Sequence, residues 1–185
     1  MMTRYRMLGL AALAIIAVSP APQWVIDALF HPWVHADPPL LARWSGRVVP
    51  GAGDPLDVVL ALERHPQEGC ETGRCQQFEG TVVTCDAHGQ VRRYLVSGSP
   101  RDRHGRDLRI GTSPAPKPPP DGLELNTMNG TWDGADTLTL QASFFWRRGP
   151  SAISSTDDPA TQPVPLTMRR VAGPAEGTAP TPCAR

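Results

Sequence analysis

The sequence predicts an all-β protein, a small antiparallel up-and-down β-barrel of about eight strands behind an N-terminal hydrophobic helix. Three observations predict this fold. Apolar side chains recur at every second position from Pro38 onward, turns with glycine, proline or aspartate separate the alternating segments, and few long amphipathic runs occur among the 21 prolines and 17 glycines. An even number of sequential strands can close without exposed edges, with room inside for side chains or one small ligand.

The first four predicted strands cover residues 40–49, 56–64, 77–86 and 91–99. In each of them one face is mainly apolar, as expected for a strand that turns one side toward a core. The residues on these faces are, in chain order, Leu40, Ala42, Trp44 and Val48; Val58, Leu60 and Leu62; Phe78 and Val82; and Tyr94 and Val96.

The last four predicted strands cover residues 107–112, 122–132, 136–146 and 164–171. In the sixth strand the alternation changes parity between Leu125 and Met128, which predicts a β-bulge near Asn126 and Thr127. The seventh strand has the clearest pattern and the eighth closes the set. Their apolar faces consist of Leu138, Leu140, Ala142, Phe144 and Trp146, and of Val164, Leu166 and Met168. The Pro-rich segment 112–122 and the polar segment 151–163 are expected to be connections.

Residues 1–36 are expected to form a signal peptide or a signal-anchor helix. Arg4 and Arg6 precede a run of twelve apolar residues, Met7 to Val18, which is the pattern of an export signal. This run rises only about 18 Å as a helix, less than the ~30 Å of a bilayer core. The leader is therefore either cleaved, with Val34-His35-Ala36 fitting the small-residue rule, or retained as an anchor that continues to Trp33. Both alternatives place the remainder outside the cytoplasm, in the periplasm or the extracellular space.

The rest of the chain divides into a β-barrel domain, residues 37–172, and a Pro-rich C-terminal tail, residues 173–185. The whole chain has 18 basic and 18 acidic residues, and residues 37–185 have 16 and 17, a net charge of about −1. This balance gives no field that would attract nucleic acid, which we exclude as a partner.

One charge concentration stands out against this balance. It comprises Arg92, Arg93, Arg101, Arg103, Arg106 and Arg109, with Asp102 and Asp107 between them. These residues are expected to lie on a hairpin between two strands. A basic hairpin of this kind could contact anionic lipid head groups, an anionic envelope polymer or an acidic protein. The alternative is a solvated hairpin in which arginine and aspartate pair locally, at about 0–1 kcal/mol per pair.

The chain has four cysteines, Cys70, Cys75, Cys85 and Cys183, and an even number in an exported chain suggests disulfides. The spacing favours a local Cys70–Cys75 bridge across a Thr-Gly turn and a second bridge from Cys85 to Cys183. The competing hypothesis is a zinc site made of Cys70, Cys75, Cys85 and His88. Its spacing matches no common zinc finger, and an exported chain meets oxidising conditions. We predict no cofactor and no metal.

The segment NGTWDGADTLTL, residues 129–140, carries a Gly-Thr-Trp motif whose tryptophan is Trp132. With the strand pattern of residues 40–171, this motif resembles the calycin group, the lipocalin and avidin-like barrels. In that group a Gly-x-Trp on the first strand closes the barrel floor, whereas here it lies on the sixth strand and the first strand has Trp44. Because the motif lies on another strand, it does not justify carrying over a ligand pocket, and Trp44 and Trp132 are expected to fill the barrel or cap one end. The candidate core or ligand-contact residues are Trp44, Trp132, Phe144 and Trp146.

No catalytic motif is present, so we expect a non-enzymatic protein. The chain lacks Gly-x-Ser-x-Gly, His-Glu-x-x-His and a phosphate-binding glycine loop, and an enzyme would need His88 or His104 to face a carboxylate across a cleft. The leading hypothesis is an extracytoplasmic, membrane-tethered barrel domain that binds or supports another envelope component. The alternative is a calycin-like carrier of a small apolar ligand.

The C-terminal tail generates the first testable prediction. Pro174, Pro180 and Pro182 exclude a regular element there, yet the tail ends in Cys183. We expect a Cys85–Cys183 bridge, which would close a loop of about 100 residues and contribute about 4–5 kcal/mol in the chain-entropy treatment. Non-reducing peptide mapping should recover a Cys85–Cys183 peptide, and a dimer linked through Cys183 would contradict the prediction.

Overall fold

The computed structural model describes residues 29, 32–37, 39–51, 53–64, 77–114, 122–148, 151–153 and 159–172. It contains nine strands and two 3-10 helices, Pro32–His35 and Pro159–Thr161. The strands are β1 Arg43–Val48, β2 Leu56–Arg64, β3 Phe78–Cys85, β4 Val91–Pro100, β5 Asp107–Pro114, β6 Gly122–Trp132, β7 Thr137–Arg148, β8 Ser151–Ile153 and β9 Val164–Val171.

Eight of these strands form a closed antiparallel barrel. Strands β1 to β7 pair in sequential order, and β9 pairs with both β7 and β1, so the sheet closes on itself. The remaining strand, β8, pairs with the end of β7 only and lies outside the ring. This architecture confirms the predicted all-β fold and agrees at a coarse level with the resemblance to the calycin barrels.

The predicted strand boundaries agree closely with the observed ones. β2, β6 and β9 begin and end where the alternation does, and the predicted bulge is confirmed by a register shift between Leu125 and Thr127. The Thr112 hydroxyl lies 2.6 Å from the Leu125 carbonyl oxygen and 2.8 Å from that of Asn126, so it holds the bulge in place. Strand β8 falls in a segment that was expected to be a connection, because three residues are too few for a periodic signal.

One end of the barrel, called here the closed end, is filled by aromatic side chains. Trp44 and Trp132 are buried there, and their indole N–H groups donate to the carbonyl oxygens of Leu40 and Ala135, both at 3.0 Å. Trp33, which precedes the barrel, is 3% exposed and packs edge-on against Phe78 with ring centroids 6.5 Å apart. Trp33 therefore belongs to the core, although its sequence position assigned it to residues 1–36, the segment that was expected to be a signal peptide or anchor.

The turn between β6 and β7 lies within the segment NGTWDGADTLTL, residues 129–140, and explains its sequence. The Asp133 carboxylate accepts hydrogen bonds from the backbone N–H groups of Ala135 at 2.8 Å and Thr137 at 3.1 Å. These bonds, first that of Ala135, lower the pKa of Asp133 below its ordinary value. Gly130 precedes the turn, and a side chain at this position would collide with the Thr139 carbonyl of β7. The Gly-Thr-Trp motif is thus explained by close strand packing and closure of the barrel end.

A second apolar surface lies on the outside of the barrel around Cys85. Ala61, Val83 and Cys85 are buried although they face away from the main core cluster, and Cys85 is 4% exposed. Cys85 is the single cysteine among the described residues, and its sulfur is not a free thiol. Cys70, Cys75 and Cys183 lie outside the described residues, so both bridges remain predictions.

The hydrophobic run Met7 to Val18 also lies outside the described residues. Within the described ranges, no helix combines the length and apolar character that are needed to cross a bilayer. The predicted N-terminal helix, its cleavage and its role as an anchor therefore remain predictions.

The burial of Trp33 generates a second testable prediction. Replacing Trp33 with alanine in the full chain should lower the free energy of unfolding by about 3–5 kcal/mol, because it removes a large buried aromatic side chain. Denaturant titration followed by circular dichroism measures this loss. The control is Trp146→Ala, where the side chain is 38% exposed and a clearly smaller loss is expected. Equal losses in the two variants would contradict a packing role for Trp33.

Candidate functional site

The end of the barrel opposite Trp33, called here the mouth, contains a cavity of about 530 Å³ that opens to solvent. It lies where β1, β3 and β7 end and where β2, β4 and β6 begin. Residues from these strands and from the adjoining loops line it: Pro50, Gly53, Asp54, Leu56, Thr84, Asp86, Gln90, Arg92, Tyr94, Gly122, Leu123, Leu125, Phe144, Trp146, Pro159 and Ala160.

The mouth stays open because several of its inward-facing side chains are smaller or polar, although Tyr94, Phe144 and Trp146 also line it. The closed end is filled by Trp33, Trp44, Phe78 and Trp132, whereas none of these four residues lines the cavity. On β2, β3 and β6 the inward positions nearest the mouth are Leu56, Thr84 and Leu123. A barrel of eight strands has a narrow interior, so this difference in side-chain volume decides which end can admit a molecule.

The inner wall of the cavity is apolar and includes Tyr94, Leu123, Leu125, Phe144 and Trp146. The Tyr94 ring is buried, and its hydroxyl oxygen lies 3.5 Å from the backbone nitrogen of Leu125, which donates to it. Burial raises the pKa of the Tyr94 phenol above its ordinary value, while this hydrogen bond and the nearby Arg92 act in the opposite direction. The phenol therefore stays neutral at physiological pH.

Arg92 is the single basic residue among those that line the cavity. It faces inward on β4, opposite Thr84 of β3, whereas Arg93 is exposed on the outer surface. Its terminal nitrogens lie against Gly122, where any side chain would collide with them. The Nη1 atom of Arg92 is buried and has no hydrogen-bond partner, and no described carboxylate forms an ion pair with this residue.

Two aspartates stand at the solvent side of the cavity, in the loops after β1 and β3. The Asp86 carboxylate accepts hydrogen bonds from the backbone N–H groups of His88 at 2.9 Å and Gln90 at 2.8 Å, which fixes the β3–β4 turn. His88 Nε2 lies 3.6 Å from a carboxylate oxygen of Asp54, and both side chains are mostly exposed. This separation is longer than a hydrogen bond, and such exposed pairs contribute little to stability.

A buried ion pair supports the cavity wall from behind. Glu124 lies between Leu123 and Leu125, is 0% exposed, and receives two hydrogen bonds from Arg147, at 2.6 and 3.1 Å. This paired arrangement joins β6 to β7 next to Leu125 and Phe144. It also raises the pKa of Arg147, chiefly through the hydrogen bond to Glu124. No local pattern predicts this pair, because its two members are 23 positions apart in the chain.

The structure separates the four aromatic residues that were predicted as ligand contacts or core. Trp44 and Trp132 belong to the core at the closed end, while Phe144 and Trp146 line the cavity.

The structure also separates the six arginines that were predicted to contact an anionic partner. Arg101, Arg103 and Arg106 lie in the β4–β5 turn, near the closed end, whereas Arg92 and Arg93 lie at the mouth, about 30 Å away along β4. Five are exposed and Arg92 faces the cavity.

The cavity combines an apolar inner wall with one inward-facing cation. Among the described residues, no group of three or more His, Cys, Asp or Glu side chains is placed to hold a metal ion. The zinc hypothesis includes Cys70 and Cys75, which lie outside the described residues, and is not tested. Of the histidines considered for catalysis, His104 is exposed in the β4–β5 turn and His88 contacts Asp54 as described.

Comparison of the chain with family models, with curated proteins and with solved structures finds no match.

The burial of Tyr94 generates a third testable prediction. The chain has two tyrosines, so in the full-length Tyr5→Phe variant Tyr94 alone reports tyrosinate absorbance. We expect it to ionise at a higher pH in the folded protein than in urea, where the ordinary value of about 10 applies. A neutral Tyr94 therefore contributes stability that is fully present below the unfolded-state pKa and is lost as the pH rises through the folded-state pKa.

The Tyr94→Phe variant is the control for this effect. Its free energy of unfolding should lack the part of the alkaline decrease that Tyr94 causes, because phenylalanine has no phenol to ionise. Ionisation of Tyr94 at the same pH in the folded and the unfolded chain would contradict the buried position of the phenol.

Proposed function

We propose that the protein binds one small, mainly apolar molecule in the mouth of its barrel. The observation that carries this proposal is the cavity of about 530 Å³, whose walls include Tyr94, Leu123, Leu125, Phe144 and Trp146. Ligand sites in proteins are commonly concave, within about 300–1,000 Å³, and mostly apolar with a few polar groups. The cavity has this character. The proposal corresponds to the calycin-like carrier of a small apolar ligand, which was the alternative hypothesis from the sequence.

A binding function is favoured over catalysis by the chemistry of the cavity. Its one hydroxyl-bearing aliphatic side chain is Thr84, and its carboxylates, Asp54 and Asp86, are at the solvent side with one of them used in a turn. Nucleophilic catalysis would require a nucleophile within hydrogen-bond reach of a base that a third group orients. The contact of His88 with Asp54 is exposed, and such a pair gives no oriented base next to Thr84.

The site of action that accompanies this proposal is outside the cytoplasm. The basic residues Arg4 and Arg6 and the apolar run after them are the basis for export, and the retained-anchor alternative would hold the barrel at a membrane surface. A carrier in this position would collect an apolar molecule at or near the membrane. The exposed arginines of the β4–β5 hairpin lie on other surfaces than the cavity. They could therefore contact another envelope component while the cavity holds a ligand.

Filling the cavity tests the proposal. Leu123→Trp adds an indole inside the mouth, and it should weaken binding of a displaceable apolar fluorescent dye at least tenfold. Leu95→Trp is the matched control, because Leu95 is 52% exposed on the outer face of β4 and its replacement leaves the cavity unchanged. A dye that binds at 100 times its Kd should also raise the free energy of unfolding of the unmodified chain by about 2.7 kcal/mol.

The two variants separate binding in the mouth from binding elsewhere. If both of them bind the dye as the unmodified chain does, the dye occupies another apolar surface and the proposal is wrong. The melting temperatures of both variants should remain near that of the unmodified chain, since the added indoles enter a cavity or solvent and not the packed core.

A further inference from the structure

We infer that Arg92 anchors the carboxylate of the ligand, so that the bound molecule is a monocarboxylate with an apolar body, such as a fatty acid. This inference rests on the proposed function and gives the chemical class of the ligand. It follows from the position of the guanidinium, from the absence of an acceptor for its Nη1 among the described residues, and from the charges around the cavity.

The position of the guanidinium is determined by three strands. Alternation on β4 places Arg92 on the inner face together with Tyr94, and Arg93 on the outer face. Thr84 lies opposite Arg92 in the antiparallel register of β3, and Gly122 of β6 provides the space that the terminal nitrogens occupy. A side chain at Gly122 would push the guanidinium away, so the glycine keeps it in the mouth.

Three other described arginines have a carboxylate partner, which Arg92 lacks within the described part of the chain. Arg47, Arg147 and Arg170 each contact a carboxylate at 2.6 or 2.7 Å. Arg92 has no such contact among the described residues, and its Nη1 is buried without an acceptor. A buried charged donor without a partner is costly, whereas a carboxylate can accept two parallel hydrogen bonds from a guanidinium. A ligand carboxylate in the cavity would supply the acceptor after a small rotation of this flexible side-chain end.

The charges at the rim favour a monoanion. Asp54 and Asp86 stand at the solvent side of the same cavity, so one inward-facing cation is accompanied by two carboxylates. A dianionic head group would gain from Arg92 but would meet more repulsion from these carboxylates than a monoanion does. The remaining wall is formed by Leu123, Leu125, Phe144 and Trp146, which suit an alkyl or aryl body.

The test compares three straight-chain probes of equal length: a carboxylate, the corresponding alcohol and an alkyl phosphate. Dye displacement from the full-length protein at neutral pH gives the affinity of each. We expect the carboxylate to bind at least about tenfold more tightly than the alcohol, as hydrogen bonds to charged groups typically allow, and more tightly than the phosphate. In Arg92→Met, the ratio of carboxylate to alcohol affinity should fall to about one, with the alcohol still bound.

Arg93→Met is the matched control, because it removes the same charge from the neighbouring position on the outer face and should leave the ratio unchanged. Arg92→Lys should give an intermediate ratio, since an ammonium keeps the charge without the bidentate geometry. If Arg92→Met does not fold, the comparison of the three probes on the unmodified chain still tests whether the cavity prefers a carboxylate.

The outcomes distinguish this inference from the function on which it rests. Equal affinity of the unmodified chain for carboxylate and alcohol would overturn the anchor and leave the binding function intact. Tighter binding of the phosphate would overturn the preference for a monoanion. An equal fall of the ratio in Arg92→Met and Arg93→Met would reduce the effect to net charge and overturn the assignment to Arg92. Failure of every probe, with the dye insensitive to Leu123→Trp, would remove the binding function itself.

Discussion

Closure of the sheet is the constraint on which the rest of the structure depends. Because β9 pairs with both β1 and β7, the eight barrel strands form a ring and their inner faces enclose a single narrow core. A ring this small requires strongly coiled strands in close contact. At Gly46, Gly80 and Gly130 a side chain would collide with a carbonyl oxygen of the neighbouring strand, so glycine at these inward positions permits the approach.

The two ends of this ring differ because they hold different volumes of side chain. Trp33, Trp44, Phe78 and Trp132 fill the closed end, and they dominate the core as large aromatic residues do in small domains. The mouth has no comparable filling, although Phe144 and Trp146 stand at its wall. Packing at one end thus stabilises the barrel, while the cavity at the other end stays open to solvent.

The sequence predicted the barrel well, because alternation and turns are local signals. The bounds of β2, β6 and β9, the bulge after Leu125 and the structural role of Trp132 could be read directly. Alternation carries no information about which distant segments meet. Three features depend on such contacts and could not be predicted: the position of Trp33 in the core, the pair of Glu124 with Arg147, and the cavity. The inward orientation of Arg92 could have been predicted from the sequence, because Arg92 lies two positions before the inward-facing Tyr94 on the same strand. Charge alone grouped it with the exposed arginines.

Two arginines near the cavity show how the site departs from the rest of the fold. Arg147 satisfies a buried carboxylate with two hydrogen bonds and fixes the wall between β6 and β7. Arg92 has its terminal nitrogens next to Gly122, yet none of the described residues supplies an acceptor for its Nη1. Natural proteins satisfy nearly all buried polar groups, and exceptions concentrate at functional sites. Among the described residues that line the cavity, the two carboxylates of Asp54 and Asp86 stand at the solvent side and form no ion pair with Arg92, so an acceptor for its Nη1 is what the proposed ligand would add.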